Sequence, residues 1–329
     1  MKVLSYDLSN TNVTLTGYLL DSSPEMPNMK QRPAVLILPG GGYRACSDRE
    51  AEPIAMAFLA EGYQAFILRY SLNQDAAFPQ PLNDAEEAMK LIRTHSAEWD
   101  IHPQKIAVCG FSAGGHLAAA LSTMGSDRPD ALILGYPCIL EEMSAIFPNP
   151  VPGVDQKVDH LTPPTFIFHT FDDKLVSVSN SLAFADALTR QNVPFEMHIF
   201  PTGTHGLSLA RPQTSMGLIS MVEPSVAQWF SLCTNWMTRV FGEFAADLEH
   251  LPEEEVLEYS LDVKLGALWK NDSCKMLILA AMPEIGEEPH PDAMGVPLGV
   301  IIEYAGDVLN EEKIMQLNDS LRQIPVNHS

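Results

Sequence analysis

The sequence is short of basic residues. Its 329 residues include 20 Lys or Arg against 42 Asp or Glu, for a formal net charge of −22. Affinity for nucleic acid rests on cations that neutralise phosphates, so a DNA or RNA partner is excluded. An anionic membrane surface is disfavoured for the same reason. Cysteine is scarce too. Cys46, Cys109, Cys138, Cys233 and Cys274 are odd in number, widely spaced and form no CxxC pair. That argues against a zinc ribbon and against a disulfide framework. No apolar run reaches the roughly 18 residues of a membrane span. Met1–Asn12 lacks an apolar core of signal-peptide length. The expectation is a cytoplasmic protein. Neither a GxGxxG nor a P-loop glycine pattern is present, which counts against nucleotide binding.

What is present is ordinary globular composition, 46% hydrophobic and 19% charged. A chain of this length buries roughly 75% of the surface its unfolded form exposes. Val3–Leu8 and Thr14–Leu20 alternate as a strand hairpin. Ala34–Leu38 is a continuous apolar run, the mark of a strand buried on both faces of a parallel sheet. The pattern then repeats. Strands are predicted at 64–70, 105–109, 131–136, 165–169 and 195–200. Helices are predicted at 48–61, 81–96, 112–124, 177–191 and 225–241. Alternation of this kind implies an α/β fold, a mainly parallel sheet with helices on both faces. The register changes near Gly242. Residues 243–329 carry −13 of the net charge. They include one short apolar run, Met276–Met282, and a helical stretch, Glu311–Gln323, that Asn310 can cap. The expected organisation is a catalytic domain at 1–242 and a small, mostly helical module at 243–329. Glu253–Glu255 reads as a solvated stretch. No internal repeat of fixed period is evident.

Chemistry concentrates at Gly110-Phe111-Ser112-Ala113-Gly114. This GxSxG directly follows a predicted strand and precedes a predicted helix, the setting of a nucleophile elbow. A tight turn there projects the Ser112 hydroxyl above the sheet edge, and the flanking glycines make room. Leu38-Pro-Gly-Gly-Gly-Tyr43 ends another core strand, where ligands bind in open α/β sheets. Consecutive glycines let backbone N–H groups approach a developing oxyanion. A nucleophilic serine needs a base, and the base needs an orienting acid. Of ten histidines, His205 is best placed, in the glycine-bounded loop Pro201–Gly206 after a strand. His116 lies inside the helix after the serine. His169 and His198 read as packed or surface residues. For the acid, Asp172 and Asp173 both follow the strand 165–169, and either can orient His205. Serine, aspartate, histidine is the chain order of an α/β-hydrolase.

On these residues the sequence resembles bacterial α/β-hydrolases of the acetyl-esterase and acetylxylan-esterase-like group, a set of carbohydrate esterases. Six blocks between residues 33 and 241 carry the resemblance. They are the Leu38–Tyr43 loop, Ser47–Pro53, Leu68–Ser71, Cys109–His116, Pro163–Phe166 and Thr204–Ala210. The resemblance implies that the acid lies four residues after a histidine and three before a valine. That selects Asp173, between His169 and Val176, with Asp172 as the alternative. It implies oxyanion donors at the N–H groups of Gly41, Gly42 and Ala113. Ser177 stands where the family commonly has proline, and Pro39 where many members have histidine. The tail is similar to a small helical module found at the ends of some bacterial carbohydrate esterases and β-glucosidases.

The expected function is therefore a serine carboxylesterase that cleaves short-chain acyl esters through an acyl-enzyme. Acetyl groups on xylose or xylo-oligosaccharides are the expected substrate. Ser112 is the nucleophile, His205 the base and Asp173 the orienting acid, with no metal or organic cofactor. Cys109 reads as a packed strand residue. A serine peptidase or lactonase on the same fold is the alternative, and a non-catalytic binding module the third.

Overall fold

A computed structural model of the chain describes all residues except 24, 246–255, 257, 307–308 and 327–329. The run Glu253–Glu255 therefore lies outside the described residues. The chain divides into two compact units, Met1–Phe244 and Ala245–Ser329.

The first unit is built on one sheet of eight strands. They are β1 (Lys2–Asp7), β2 (Thr14–Leu19), β3 (Arg32–Leu38), β4 (Gln64–Arg69), β5 (Ile101–Phe111), β6 (Ala131–Gly135), β7 (Thr165–Thr170) and β8 (Phe195–Phe200). Their order across the sheet is β1-β2-β4-β3-β5-β6-β7-β8. β1 and β2 pair antiparallel, as do β2 and β4, and every pairing from β4 to β8 is parallel. The helices are α1 (Glu52–Ala60), α2 (Gln80–Thr94), α3 (Ser112–Met124), α4 (Ser179–Arg190) and α5 (Trp229–Phe241).

Alternation along the strands divides the core. Leu36, Val108, Leu132 and Ile167 face one side, where α2, α3 and α4 supply Met89, Leu117 and Phe184. Val35, Ile37, Cys109, Ile133 and Phe168 face the other, where α1 and α5 supply Phe58, Trp229 and Trp236. Phe168 and Trp229 stack with ring centroids 4.3 Å apart. Both faces are covered, which is why the central strands read as unbroken apolar runs.

Two differences from the expected elements matter. β5 begins at Ile101, not Lys105, with Arg32 paired to Ile101 and a register shift before Ala34–Ile106. Its exposed Pro103 and Gln104 hid the first half from an apolar search. The helix expected from Asp48 starts as a separate 3-10 turn, Asp48–Glu50, ahead of α1.

The second unit holds α6 (Leu265–Trp269), α7 (Asp272–Ala281), α8 (Pro291–Met294), α9 (Leu298–Tyr304) and α10 (Glu311–Arg322) around its own core of Leu265, Leu268, Ile278, Leu298, Ile302 and Leu321. The Asn310 side chain accepts from Lys313 N–H at the start of α10. A short repeat exists that sequence inspection missed. Val263-Lys-Leu-Gly266 recurs as Val296-Pro-Leu-Gly299, each leading into a helix. The two copies bond reciprocally, Leu265 N–H to Val296 O at 2.9 Å and Leu298 N–H to Val263 O at 3.1 Å. Both glycines lie under carbonyls, Met294 O and Leu261 O, that a side chain would meet. Four residues are too few to register as a period. Their likeness becomes plain only when they pair.

Leu36 is fully buried at the centre of the first unit. Leu36→Ala is expected to destabilise it by about 2–5 kcal/mol, measured by urea unfolding followed through Trp99, Trp229 and Trp236. A loss below about 0.5 kcal/mol would show that the centre of the sheet is not packed as described.

Candidate active site

The site forms where β3, β5, β7 and β8 end together. Ser112 follows the last residue of β5 and opens α3, with φ +52°. That left-handed conformation is unusual for a residue with a side chain and stores strain. Its neighbours show why they are glycine. A Cβ on Gly110 would lie 2.2 Å from Gly114 O, and one on Gly114 would lie 2.1 Å from Leu38 O. Strand, helix and the end of β3 meet at backbone distance.

The structure brings Ser112, His205 and Asp173 into one line. Ser112 Oγ lies 2.8 Å from His205 Nε2. His205 Nδ1 lies 2.6 Å from Asp173 Oδ2. A carboxylate only accepts, so Nδ1 carries the proton and Nε2 is left to accept from the serine hydroxyl. Asp172 is not in the line. Its Oδ1 accepts the Gly203 N–H at 2.8 Å, holding the histidine loop by its backbone.

The Asp173 side chain is fully buried. Burial opposes its ionised form, but hydrogen bonds from His169 and His205, with the His205 charge, outweigh it and hold the carboxyl well below the usual range. Its Oδ1 also accepts Leu175 N–H and Val176 N–H, at 2.9 and 3.0 Å. His169, expected as a packed or surface residue, is fully buried behind this carboxylate. Its Nε2 lies 2.9 Å from Val176 O and 3.5 Å from Asp173 Oδ2, and its Nδ1 meets Ser181 Oγ at 2.8 Å.

The glycine loop sorts its own donors. Gly40 N–H donates to Glu50 Oε2 at 2.8 Å and is already spent. Gly41 and Gly42 have φ +134° and +64°. A Cβ on Gly41 would lie 2.1 Å from Ala45 O, so only glycine fits there. Among the described residues, the N–H groups of Gly41, Gly42 and Ala113 donate to no other partner. Free N–H groups of this kind are what a developing oxyanion requires.

His116 has both ring nitrogens engaged away from the Ser112 hydroxyl. Its Nε2 donates to Pro152 O at 2.9 Å, so its Nδ1 accepts from Tyr43 OH at 2.8 Å. It thereby ties α3 to the residue after the glycine loop. Burial pushes its pKa down to about 4. Cys138 Sγ lies 3.9 Å from Ser112 Oγ, and burial pushes that thiol up to about 12. Cys109 is fully buried in β5 with its pKa raised by burial, a packed residue. Among the described residues no group of three or more His, Cys, Asp or Glu side chains is arranged to hold a metal ion. No helix of the described residues is long and apolar enough to cross a membrane.

Two buried polar residues beside this site were not singled out from the sequence: Glu50, which accepts the Gly40 N–H, and Tyr136, whose hydroxyl donates to Glu50 Oε1 at 2.6 Å. Glu50 stood only within the block Ser47–Pro53, with no role assigned, and Tyr136 carried no motif. For His169 the usable signal was its spacing from Asp173.

The BD-FAE family matches residues 22–132, and the prolyl oligopeptidase family matches residues 79–230. A solved α/β-hydrolase enzyme from a Medee basin deep-sea metagenome library is 48% identical. The match covers 74% of this chain and 99% of that one, with a TM-score of 0.71. The chain belongs to the α/β-hydrolase family. A second solved relative, the acetyl ester-xyloside bifunctional hydrolase from Caldicellulosiruptor lactoaceticus, is 38% identical over 72% of this chain and 92% of its own, with a TM-score of 0.60. Two curated relatives are an endo-1,4-beta-xylanase B of Butyrivibrio fibrisolvens and an acetylxylan esterase of Xylanibacter ruminicola. They are 33% and 32% identical, over 57% and 56% of this hydrolase. The matches span only 34% and 42% of those proteins' own lengths. These neighbours fit the acetylxylan-esterase-like group.

The His116 shift has a consequence for stability. The fold favours neutral His116, so its contribution is complete above the unfolded pKa of about 6.5. Between about pH 6.5 and 4 the unfolded chain gains a proton that the folded hydrolase refuses, and stability falls. Some 3 kcal/mol is at stake, at about 1.4 kcal/mol per pKa unit. The drop in unfolding free energy from pH 7 to 4 should be shallower in His116→Gln than in the parent. Parallel curves would contradict this.

Proposed function

We propose that this hydrolase is a serine carboxylesterase for short-chain acyl esters, acetyl on xylose or xylo-oligosaccharides above all. The carrying observation is the unbroken line from Ser112 Oγ through His205 to Asp173, at 2.8 and 2.6 Å. Ser112 attacks the ester carbonyl while His205 Nε2 takes its proton. The N–H groups of Gly41, Gly42 and Ala113 receive the oxyanion. His205 returns the proton to the leaving alcohol. Water then attacks the acyl-enzyme, with His205 again as base. Asp173 holds the ring in the required tautomer and stabilises the imidazolium.

Two observations support a small acyl group. Residues 137–164, beside the serine, form only short 3-10 turns at Glu141–Ile146 and Asp155–Lys157, with no helical lid. Cys138 closes in on Ser112 Oγ from one side. The sugar is supported by the acetylxylan esterase and acetyl ester-xyloside hydrolase among the relatives. None of the five cysteines is paired, which suits a reducing, cytoplasmic setting and a role on imported oligosaccharides. The prolyl oligopeptidase match over residues 79–230 favours a second reading, a serine peptidase.

Ser112→Ala is expected to lower kcat on nitrophenyl acetate by on the order of 10⁴–10⁶. Asp173→Asn should cost about 10⁴ in kcat, and Asp172→Asn far less. Unchanged hydrolysis by Ser112→Ala ends the proposal. Across acetyl, butyryl and octanoyl nitrophenyl esters the initial rate should fall with length, and acetylated xylan fragments should release free acetate. A preference for octanoyl overturns the short-acyl assignment. Turnover of peptides without acetate release selects the peptidase reading.

A further inference from the structure

The block Ser47–Pro53 takes no part in the chemistry above, yet it contains a buried carboxylate beside the reacting serine. Glu50 is 2% exposed. It forms no ion pair among the described residues. Burying a carboxylate without a cation is costly, and packing alone is better served by an apolar side chain. Its hydrogen bonds show what the cost secures. Oε2 accepts the Gly40 N–H at 2.8 Å. Oε1 accepts the Tyr136 hydroxyl at 2.6 Å. The Tyr136 oxygen in turn accepts the Ser208 N–H at 2.9 Å. Bonds to a charged acceptor are about twice as strong as neutral ones.

These links close a ring through the active site. Gly40 precedes the free donors Gly41 and Gly42, and a Cβ on it would lie 3.0 Å from Ser112 Cβ. Ser208 is three residues after His205, and the Tyr136 ring lies edge-on to the His205 ring at 5.1 Å. Tyr136 is held at φ +37°, a strained value for a residue with a side chain. Hydrogen bonds to backbone carbonyls brace the same connection. Ser47 N–H donates to Gly40 O at 2.9 Å, Arg49 donates to Gly206 O at 2.7 Å, and Ser208 Oγ donates to Arg49 O.

We infer that Glu50 is a positioning residue whose two carboxylate oxygens hold the oxyanion loop and, through Tyr136, the His205 loop in mutual register. Glu50 touches no substrate and transfers no proton. It sets the distance between the groups that receive negative charge and the group that moves the proton. This inference rests on the serine-esterase reading above. A ground-state ester binds without the oxyanion donors, so loosening the register lowers kcat and leaves KM nearly unchanged.

Glu50→Gln keeps the shape but turns an amide NH2 toward one of two donors, so one arm is released. On nitrophenyl acetate its kcat should fall about 10–100-fold, the range for sub-ångström to ångström misplacement. KM should stay within about threefold. Tyr136→Phe keeps the Gly40 bond and frees Ser208, so it too should lower kcat at constant KM. If both act through one strut, Glu50→Gln/Tyr136→Phe loses at most about twofold more than the worse single variant. Folded Glu50→Gln with kcat within twofold of the parent overturns the inference, as does full multiplication of the two losses. Should Glu50→Gln fail to fold, Tyr136→Phe decides alone, and an unchanged kcat refutes the strut. Ser112→Ala in the same assay separates the two levels. If it is inactive while Glu50→Gln is unaffected, only the strut fails. If Ser112→Ala retains activity, the esterase reading itself fails.

Discussion

The site depends on one backbone constraint, the left-handed turn at Ser112. At φ +52° the serine leaves β5 and begins α3 within a single residue. Strain of this kind costs about 1–3 kcal/mol. It persists because both flanking elements are locked: α3 is buried from Ser112 to Thr123, and Gly110 to Phe111 of β5 are buried as well. The same turn forces Gly110, Gly114 and the end of β3 to backbone distance. That approach brings Gly40, the residue before Gly41 and Gly42, against Ser112, where a Cβ on Gly40 would lie 3.0 Å from Ser112 Cβ. The placement of Ser112 and of the glycine loop is therefore the product of one packing arrangement.

Topology supplies the partners. β3 and β5 are adjacent and parallel, so their C-terminal ends deliver the glycine loop and Ser112 to one edge. β7 and β8, also parallel neighbours, deliver Asp173 and His205 to that edge from further along the sheet. The three side chains are far apart in sequence but need no long-range movement to meet. The loops do the final placement. Asp172 bonds the His205 loop at Gly203, while Asp173 turns inward to the ring.

This explains what could be read from the residues. Strands β3 to β7 are buried on both faces, so their runs of Val, Ile and Leu stand out. Ser112 and His205 stand out because each lies beside glycine in a turn or loop at a strand end, and glycine is visible in a sequence. Asp172 and Asp173 are equivalent as letters. Only the backbone path after β7 distinguishes them, and the family spacing stood in for that path. Glu50 was illegible for a different reason. Its role lies in accepting N–H and O–H groups from residues distant in the chain, and an acidic residue at a helix start usually faces water. The first half of β5 and the paired turns of the second unit share this property. They are defined by what they bond to, not by their own pattern.

The histidines differ in how the fold commits their ring nitrogens. His116 has both nitrogens committed, to Tyr43 and Pro152. His169 has both committed as well, to Ser181 and Val176. Each is a connector, and its ring is fixed by partners that belong to the scaffold. His205 differs in a single respect. Its Nδ1 is bound by a buried carboxylate, while its Nε2 faces a hydroxyl at the open edge of the sheet. An imidazole exchanges protons with substrate only through a nitrogen that the scaffold has not claimed. Burial alone would have ranked the three in the wrong order, since the two connectors are the more deeply buried. What separates His205 from the two connectors is the identity of the second partner.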